Sequence, residues 1–244
     1  DTTAYGTDIA PDGTLPELLS ALADTGVPWI RVLYTHPAHL TDELLTAVSA
    51  LPSVVPYLDV PIQHISDRIL EAMGRHTDGR HIRSLFERIR RAVPGVSIRS
   101  SAMVGVPGET ESEFQELLDF VRAGNVDYLG VFEYSPEPGT AAFSMPDRVE
   151  ADVATTRARA IVEAMEKVAE NRGRALVGSR ASVLIDDARS RGEQGTAVGR
   201  TLGQAWEMDG IVLVEDPESG LEEGDFATVR VTGVAGFDLT AELV

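Results

Sequence analysis

Four short stretches of this sequence join hydrogen-bonding side chains to turn-forming residues, and each follows an apolar run. They are Thr35-His36-Pro37, Pro61-Ile62-Gln63-His64-Ile65-Ser66, Gly105-Val106-Pro107-Gly108-Glu109-Thr110 and Glu133-Tyr134-Ser135-Pro136-Glu137-Pro138-Gly139-Thr140. Glycines at 105 and 108 let backbone approach a ligand, and a helix opening at Thr110 would aim free N–H groups at it. Turn chemistry alone accounts for one Gly-Val-Pro-Gly motif, but less readily for four such loops on one rim of one sheet. Nucleophilic catalysis finds little support, because no GxSxG elbow occurs. There is no cysteine, which excludes disulfides, thiolate catalysis and any thiolate-held cluster for the chain as written. The five histidines are His36, His39, His64, His76 and His81. His36 and His39 straddle Pro37 in a loop rather than sharing a helix face, and no HExxH pattern exists, so no metal site is expected.

The elements that must hold these loops follow from hydrophobic period. Apolar runs at 29–34, 54–60, 96–104 and 126–132 read as strands, the second closed by Pro61, which cannot donate to a sheet ladder. Between them lie helical faces: Leu15, Leu18, Leu19 and Leu22 ahead of Gly26; a helix capped by Thr41; Ile69, Leu70 and Met73 behind a Ser66 cap; and 80–93. Thr110 to Glu113 fits a capping box for a helix carrying Phe114, Leu117, Leu118 and Val121. A long polar helix spans 151–176. Alternating strand and helix predicts a parallel sheet whose strand ends share one rim, where ligands sit. Four such strands do not close a barrel and leave two apolar edges, so further units are expected on the N-terminal side. After Val177 the period shortens to strands at 181–185, 211–214, 226–231 and 237–243 without long helices, a small all-β barrel or sandwich. The expected domains are therefore 1–176 and 177–244, with a polar loop over 1–13.

Of the 244 residues, 43% are apolar and 25% charged, as in ordinary globular proteins. The formal net charge is −18, from 39 acidic against 21 basic residues, which argues against a general nucleic-acid binder. No apolar run is long enough to span a membrane, and no charged-then-apolar leader opens the chain. A cytoplasmic location is expected.

The runs Leu58-Asp59-Val60-Pro61-Ile62-Gln63-His64, Met103-Val104-Gly105-Val106-Pro107-Gly108-Glu109-Thr110 and Glu133-Tyr134-Ser135-Pro136 resemble the radical-SAM methylthiotransferases, and 177–244 resembles their TRAM module. The resemblance covers the whole chain. It implies an α/β fold, a partial (βα) barrel of the radical-SAM type that is N-terminally truncated here, followed by an OB-like all-β barrel. It implies S-adenosylmethionine and two 4Fe-4S clusters, one of which, on a CxxxCxxC loop, cleaves the cosubstrate to a 5′-deoxyadenosyl radical. The chain as given has ligands for neither cluster and is not expected to do the chemistry alone. By the same resemblance Gly105, Pro107, Gly108 and Glu109 lie along the adenine side, Phe132 and Tyr134 border the adenine edge, Gln63 sits toward the ribose, and Arg99 reaches the cosubstrate carboxylate. Other roles stay open: Glu109 favouring a helix N-terminus, Arg99 in a structural ion pair, Gln63 satisfying loop backbone.

The family divides by substrate, one branch modifying a tRNA adenosine and another an aspartate of a small-subunit ribosomal protein. Over 177–244 there are thirteen acidic residues and five arginines, a net charge of −8. That sign repels a phosphate backbone and attracts a basic ribosomal protein, although solubility alone would also account for it. Gly199-Arg200-Thr201 followed by Trp206-Glu207-Met208-Asp209-Gly210 also resembles the aspartate branch, which makes Trp206 and Asp209 candidate partner contacts, turn or core roles being the alternative. The aspartate reading is therefore preferred to the tRNA one. A remnant that binds the ribosomal protein without catalysis is a third reading, and a cluster-free barrel enzyme using a histidine-bound metal is a fourth.

Overall fold

The structure, a computed structural model, describes residues 1–7, 13–188, 195–215 and 220–244; part of the turn-rich opening thus lies outside the described residues. The chain divides into two compact units, Asp1–Met165 and Glu166–Val244.

The first unit alternates helices and strands: α1 (Leu15–Ala23), β1 (Ile30–Val32), α2 (Asp42–Ala50), β2 (Val54–Asp59), α3 (Asp67–Ala72), α4 (Gly79–Ala92), β3 (Ser97–Val104), α5 (Glu111–Arg122), β4 (Tyr128–Glu133) and the start of α6 (Ala151–Leu176). The strands form one parallel sheet in the order β1-β2-β3-β4. A parallel sheet brings the ends of all its strands to one rim, so the four polar loops gather there. Local chemistry sets the boundaries. Thr14 with Glu17, and Thr110 with Glu113, form capping boxes at the starts of α1 and α5. Ser66 holds the N-cap position of α3, yet its side chain makes no cap bond. Its hydroxyl instead donates to Glu113 Oε1 at 3.1 Å, because a stronger acceptor lies within reach. β1 is shorter than its apolar run. At Tyr34 the backbone turns to φ +56°, and the Tyr34 N–H donates to Asp59 Oδ2 at 3.0 Å.

Along β3 burial alternates: Ile98, Ser100, Ala102 and Val104 are buried, while Arg99, Ser101 and Met103 are half-exposed. The helices supply apolar faces to the core, Leu44, Leu45 and Val48 from α2, Ile82, Phe86 and Ile89 from α4, Phe114, Leu117 and Phe120 from α5. The Phe86 and Phe120 rings lie 5.8 Å apart, a tilted aromatic pair.

The second unit closes β5 (Arg180–Asp187), β6 (Thr196–Thr201), β7 (Val212–Glu215), β8 (Phe226–Ala235) and β9 (Asp238–Leu243) into a barrel of order β5-β6-β7-β9-β8. Closure removes the exposed strand edges. Val183, Ile185, Val212, Val214, Val229 and Val231 fill its interior. The strand β6 is absent from the sequence-derived set. Gly199 sits inside it because any Cβ there would strike the Leu184 carbonyl and the Val183 side chain of β5. Among the described residues no helix is long and apolar enough to cross a membrane.

Candidate functional site

Register places a row of polar side chains on one face of the sheet. Asp59, Arg99 and Tyr128 are neighbours across β2, β3 and β4; Ser101 pairs with Gly130, and Met103 with Phe132. Registered neighbours in a parallel sheet point to the same side, so Arg99 lies mid-face. Its Nε is 4.0 Å from the buried carboxylate of Asp59, whose other oxygen holds the Tyr34 amide. The Arg99 side chain is 16% exposed, shielded but open on one side. Gly130 stands beside it, where a Cβ would make ordinary contacts, 3.4 Å from the guanidinium and 3.6 Å from the Phe132 ring.

Gln63 extends the rim. It sits at φ +70°, a left-handed conformation that side chains rarely adopt. Two ladder bonds to β3 hold it there, its N–H donating to Ser101 O and its carbonyl accepting from Met103 N–H, both at 2.8 Å. Its side-chain amide donates to Ser101 Oγ at 3.2 Å. Strain held in place by flanking bonds often marks a ligand-facing loop. Phe132 is 56% exposed. Tyr134 continues the β3–β4 ladder through its N–H to Val104 O, 2.9 Å. Its phenol oxygen is buried, with no hydrogen-bond partner among the described residues.

The loop after β3 is clamped. Gly105 has φ +76°, and a Cβ on it would come within 2.6 Å of the Ala154 Cβ in α6. Gly108, at φ +80°, donates its N–H to Asp147 O at 2.7 Å. Pro107 is buried between them. Glu109 turns inward: its side chain is wholly buried and its carboxylate is filled by protein donors. Gly105 N–H reaches Oε2 at 2.6 Å, Arg157 of α6 reaches the same oxygen at 2.8 Å, and His64 Nε2 lies 3.1 Å from Oε1. His64 Nδ1 accepts the Ser66 N–H at 3.0 Å, which puts the ring proton on Nε2. The sequence reading grouped Glu109 with the loop but missed Arg157, an arginine in a helix 48 residues away. Ser101 is missed as well, although its place two residues from Arg99 on one strand face is a signal that points to it.

On the opposite flank of the loop, Glu113 Oε1 and Oε2 accept a forked pair from Arg68 at 2.7 and 2.5 Å. Burial pushes the Glu113 carboxyl up, but Arg68, Thr110 and Ser66 outweigh it and hold it at about 2. The histidines after β1 have ordinary partners. His36 caps a short turn through Nδ1, and burial, with Arg75 beside it, holds its pKa below the usual value.

On the barrel, Trp206 is 50% exposed, with the Arg200 guanidinium 5.3 Å from its ring. Arg200 is also paired with Asp186. Asp209 turns back on its own loop, its Oδ2 accepting the Ala205 N–H at 2.8 Å. Glu207, Glu215, Glu222, Glu223, Asp225 and Glu242 are exposed, whereas Glu193, Asp216, Glu218, Arg189 and Arg191 of the charge count lie outside the described residues. Arg230 lies 3.9 Å from Glu242.

Comparison with known proteins shows what this chain is similar to. A Radical SAM superfamily model matches residues 5–121 and a TRAM domain model matches residues 177–244. The chain is 38% identical over 243 residues to the ribosomal protein uS12 methylthiotransferase RimO of Syntrophomonas wolfei, covering 99% of this chain and 54% of that protein. It is 42% identical over 245 residues to the protein of that name from Desulforudis audaxviator, covering 100% and 53%. The chain thus carries matches to a Radical SAM and a TRAM domain, and along its whole length it is similar to relatives named as uS12 methylthiotransferases. It spans about half the length of the curated relatives it matches. Coproporphyrinogen III oxidase (HemN) from Escherichia coli, a radical SAM enzyme, superposes with a TM-score of 0.52 at 16% identity, over 77% of this chain and 49% of that one, a likeness of fold alone.

The radical SAM family implies S-adenosylmethionine and a 4Fe-4S cluster. These residues do not fit a cluster: there is no cysteine, and among the described residues no group of three His, Asp or Glu could hold a metal ion. Toward the cosubstrate the sheet face presents Arg99, Ser101 and Gln63, and the buried Tyr134 phenol has no hydrogen-bond partner among the described residues.

Proposed function

We propose that the whole protein attaches a methylthio group to the β-carbon of an aspartate in a small-subunit ribosomal protein, using S-adenosylmethionine and two 4Fe-4S clusters. Residues 1–176 form part of the reaction chamber and 177–244 a docking module. The observation that carries the reading is the unbroken correspondence, over 99–100% of the chain, with relatives named for that reaction. The cosubstrate, when bound, supplies the means of removing hydrogen from an unactivated carbon. The protein's residues bind and orient it. Arg99 meets its carboxylate, Gln63 and Ser101 offer polar contacts toward the ribose, and the adenine lies between Phe132 and the backbone of Tyr134, Gly105, Pro107 and Gly108. Glu109 shapes that wall from inside. Tyr134 has a phenol with a hydrogen bond still to make.

The substrate reading rests on charge. The exposed carboxylates of the barrel, with Arg200 paired to Asp186 and Arg230 near Glu242, favour a lysine- and arginine-rich partner over tRNA. Trp206 offers an apolar contact beside them, whereas Asp209 serves by shaping the Trp206 turn. A ribosomal substrate puts the reaction in the cytoplasm. The test uses the whole protein, reconstituted with iron and sulfide without oxygen, given S-adenosylmethionine, a sulfur source, and either the ribosomal protein or total tRNA. The expected result is one methylthio group replacing one hydrogen on an aspartate of the ribosomal protein. Methylthioadenosine in the tRNA arm would overturn the reading. So would capture of the ribosomal protein by a chain that binds no S-adenosylmethionine.

A further inference from the structure

Glu109, His64 and Arg157 come from three separate segments, the loop after β3, the loop after β2, and α6, yet meet at one carboxylate. The Glu109 and His64 side chains are wholly buried and that of Arg157 is 7% exposed. Ionised groups are rarely buried so completely unless each donor and acceptor is matched. Here both carboxylate oxygens are matched, one of them by the N–H of Gly105 itself, while Arg157 Nε is buried with no hydrogen-bond partner among the described residues. The Glu109 carboxylate thus closes the loop back on its first residue. Arg157 also donates to the Glu109 carbonyl at 3.2 Å and to Glu111 at 3.2 Å. Ala154, one turn earlier on α6, presses on Gly105. One face of α6 therefore grips both ends of the loop.

We infer that Arg157 and His64 are positioning residues for the 105–109 loop, acting through the buried Glu109 carboxylate, and that this tie keeps the loop shaped for an adenosyl ligand. The second half rests on the function proposed above; the first half does not. Both side chains bond the Glu109 carboxylate, so each acts on the loop through it. Removing Arg157 leaves a buried carboxylate without its cation, and the cheapest relief is for the loop to open and hydrate it.

The test uses the full chain with Arg157→Gln, Arg157→Lys and His64→Gln, read by amide hydrogen exchange and by titration with S-adenosylhomocysteine. For Arg157→Gln, exchange at Gly105 and Glu109 should speed up by about tenfold or more, while Leu58 and Ala102 in the sheet stay unchanged. The S-adenosylhomocysteine Kd should rise by about tenfold. Arg157→Lys, which keeps the charge, should recover part of both effects. A folded Arg157→Gln chain whose loop exchanges no faster relative to the sheet would overturn the inference, as would loop opening with an unchanged Kd. A melting-temperature drop with uniformly faster exchange would also overturn it, since that is what a merely structural pair does. Should Arg157→Gln not fold, His64→Gln frees the other carboxylate oxygen and is judged by the same two readouts. If the unmodified chain binds no S-adenosylhomocysteine, the proposed cosubstrate role fails, and hydrogen exchange alone decides the positioning role.

Discussion

Replacing Glu113 by Gln should destabilise the first unit at neutral pH and do nothing in acid. The Glu113 carboxylate accepts from Thr110 N–H at 2.9 Å, Thr110 Oγ1 at 2.7 Å, Ser66 Oγ at 3.1 Å and the Arg68 fork. These bonds hold its pKa at about 2, against an ordinary 4.5. A depressed carboxyl contributes stability that is complete above the unfolded value and is lost as pH falls from about 4.5 through about 2. Taken at face value the shift is worth about 3 kcal/mol. The Arg68 side chain is 54% exposed, however, so solvent screens the fork and about 1–2 kcal/mol is the better figure. The capping box lies within that range, because Gln keeps one acceptor for the Thr110 amide but cannot offer two charged oxygens.

The assay is urea unfolding from pH 7 to pH 2, followed by the fluorescence of Trp29, which belongs to the first unit, in a Trp206→Phe background that silences the barrel. The gap between parent and Glu113→Gln should be widest near pH 7, narrow below pH about 4.5 and vanish near pH about 2. Salt at about 1 M should shrink the part due to Arg68. A gap that stays constant with pH would refute the reasoning, because the loss would then be one of shape rather than charge. A gap under about 0.3 kcal/mol at pH 7 would refute it too, since exposed pairs reach that by chance.

Gly105→Ala should cost the first unit about 2–3 kcal/mol in urea midpoint measurements, because it combines φ +76° with a 2.6 Å approach to Ala154. Gly210→Ala should abolish the cooperative melting of the barrel, seen by near-ultraviolet circular dichroism, since a Cβ there collides with the Phe237 carbonyl. Trp206→Ala should leave barrel melting within about 0.5 kcal/mol of the parent, as for an exposed side chain, yet weaken binding of a lysine- and arginine-rich ribosomal protein by about fivefold or more in a titration. That binding should also weaken as salt is raised.

How much was legible depended on whether a residue's role was local. Pro61 and Gly105 end strands by their own backbone chemistry, and Thr110 with Glu113 spells a capping box within four residues, so the rim and its loops could be read directly. The polar row could be read only in part. Arg99 stood out as a charge inside a strand, but its link to Asp59 needed the β2–β3 register. Nothing in the sequence marks Gln63 for a left-handed backbone, because no glycine stands there. The strand β6 was hidden because close approach to β5 demands glycine at 199 where strand patterning expects bulk. Glu109 shows the limit best. Following a glycine turn and opening a helix, it looks like an exposed dipole partner, and only the Arg157 guanidinium explains how it can be buried.

The sheet holds its own control for the argument about that buried pair. At the opposite end, ahead of β4, the 3% exposed Asp127 accepts from Ile98 N–H at 2.6 Å and from Arg90 at 3.0 Å. Its chemistry matches that of Glu109: a carboxylate locking a strand-end amide and an arginine from a neighbouring helix. Only its place differs. Ligands gather where parallel strands end, and charges at their beginnings serve stability. Asp127→Asn should therefore cost about 2–3 kcal/mol, at the low end for a broken buried pair because the Arg90 side chain is 35% exposed. It should leave S-adenosylhomocysteine affinity and the exchange of the 105–109 amides where they were. Arg157→Gln should change both. If the two variants behave alike, place on the sheet does not decide role, and the loop after β3 is held for stability only.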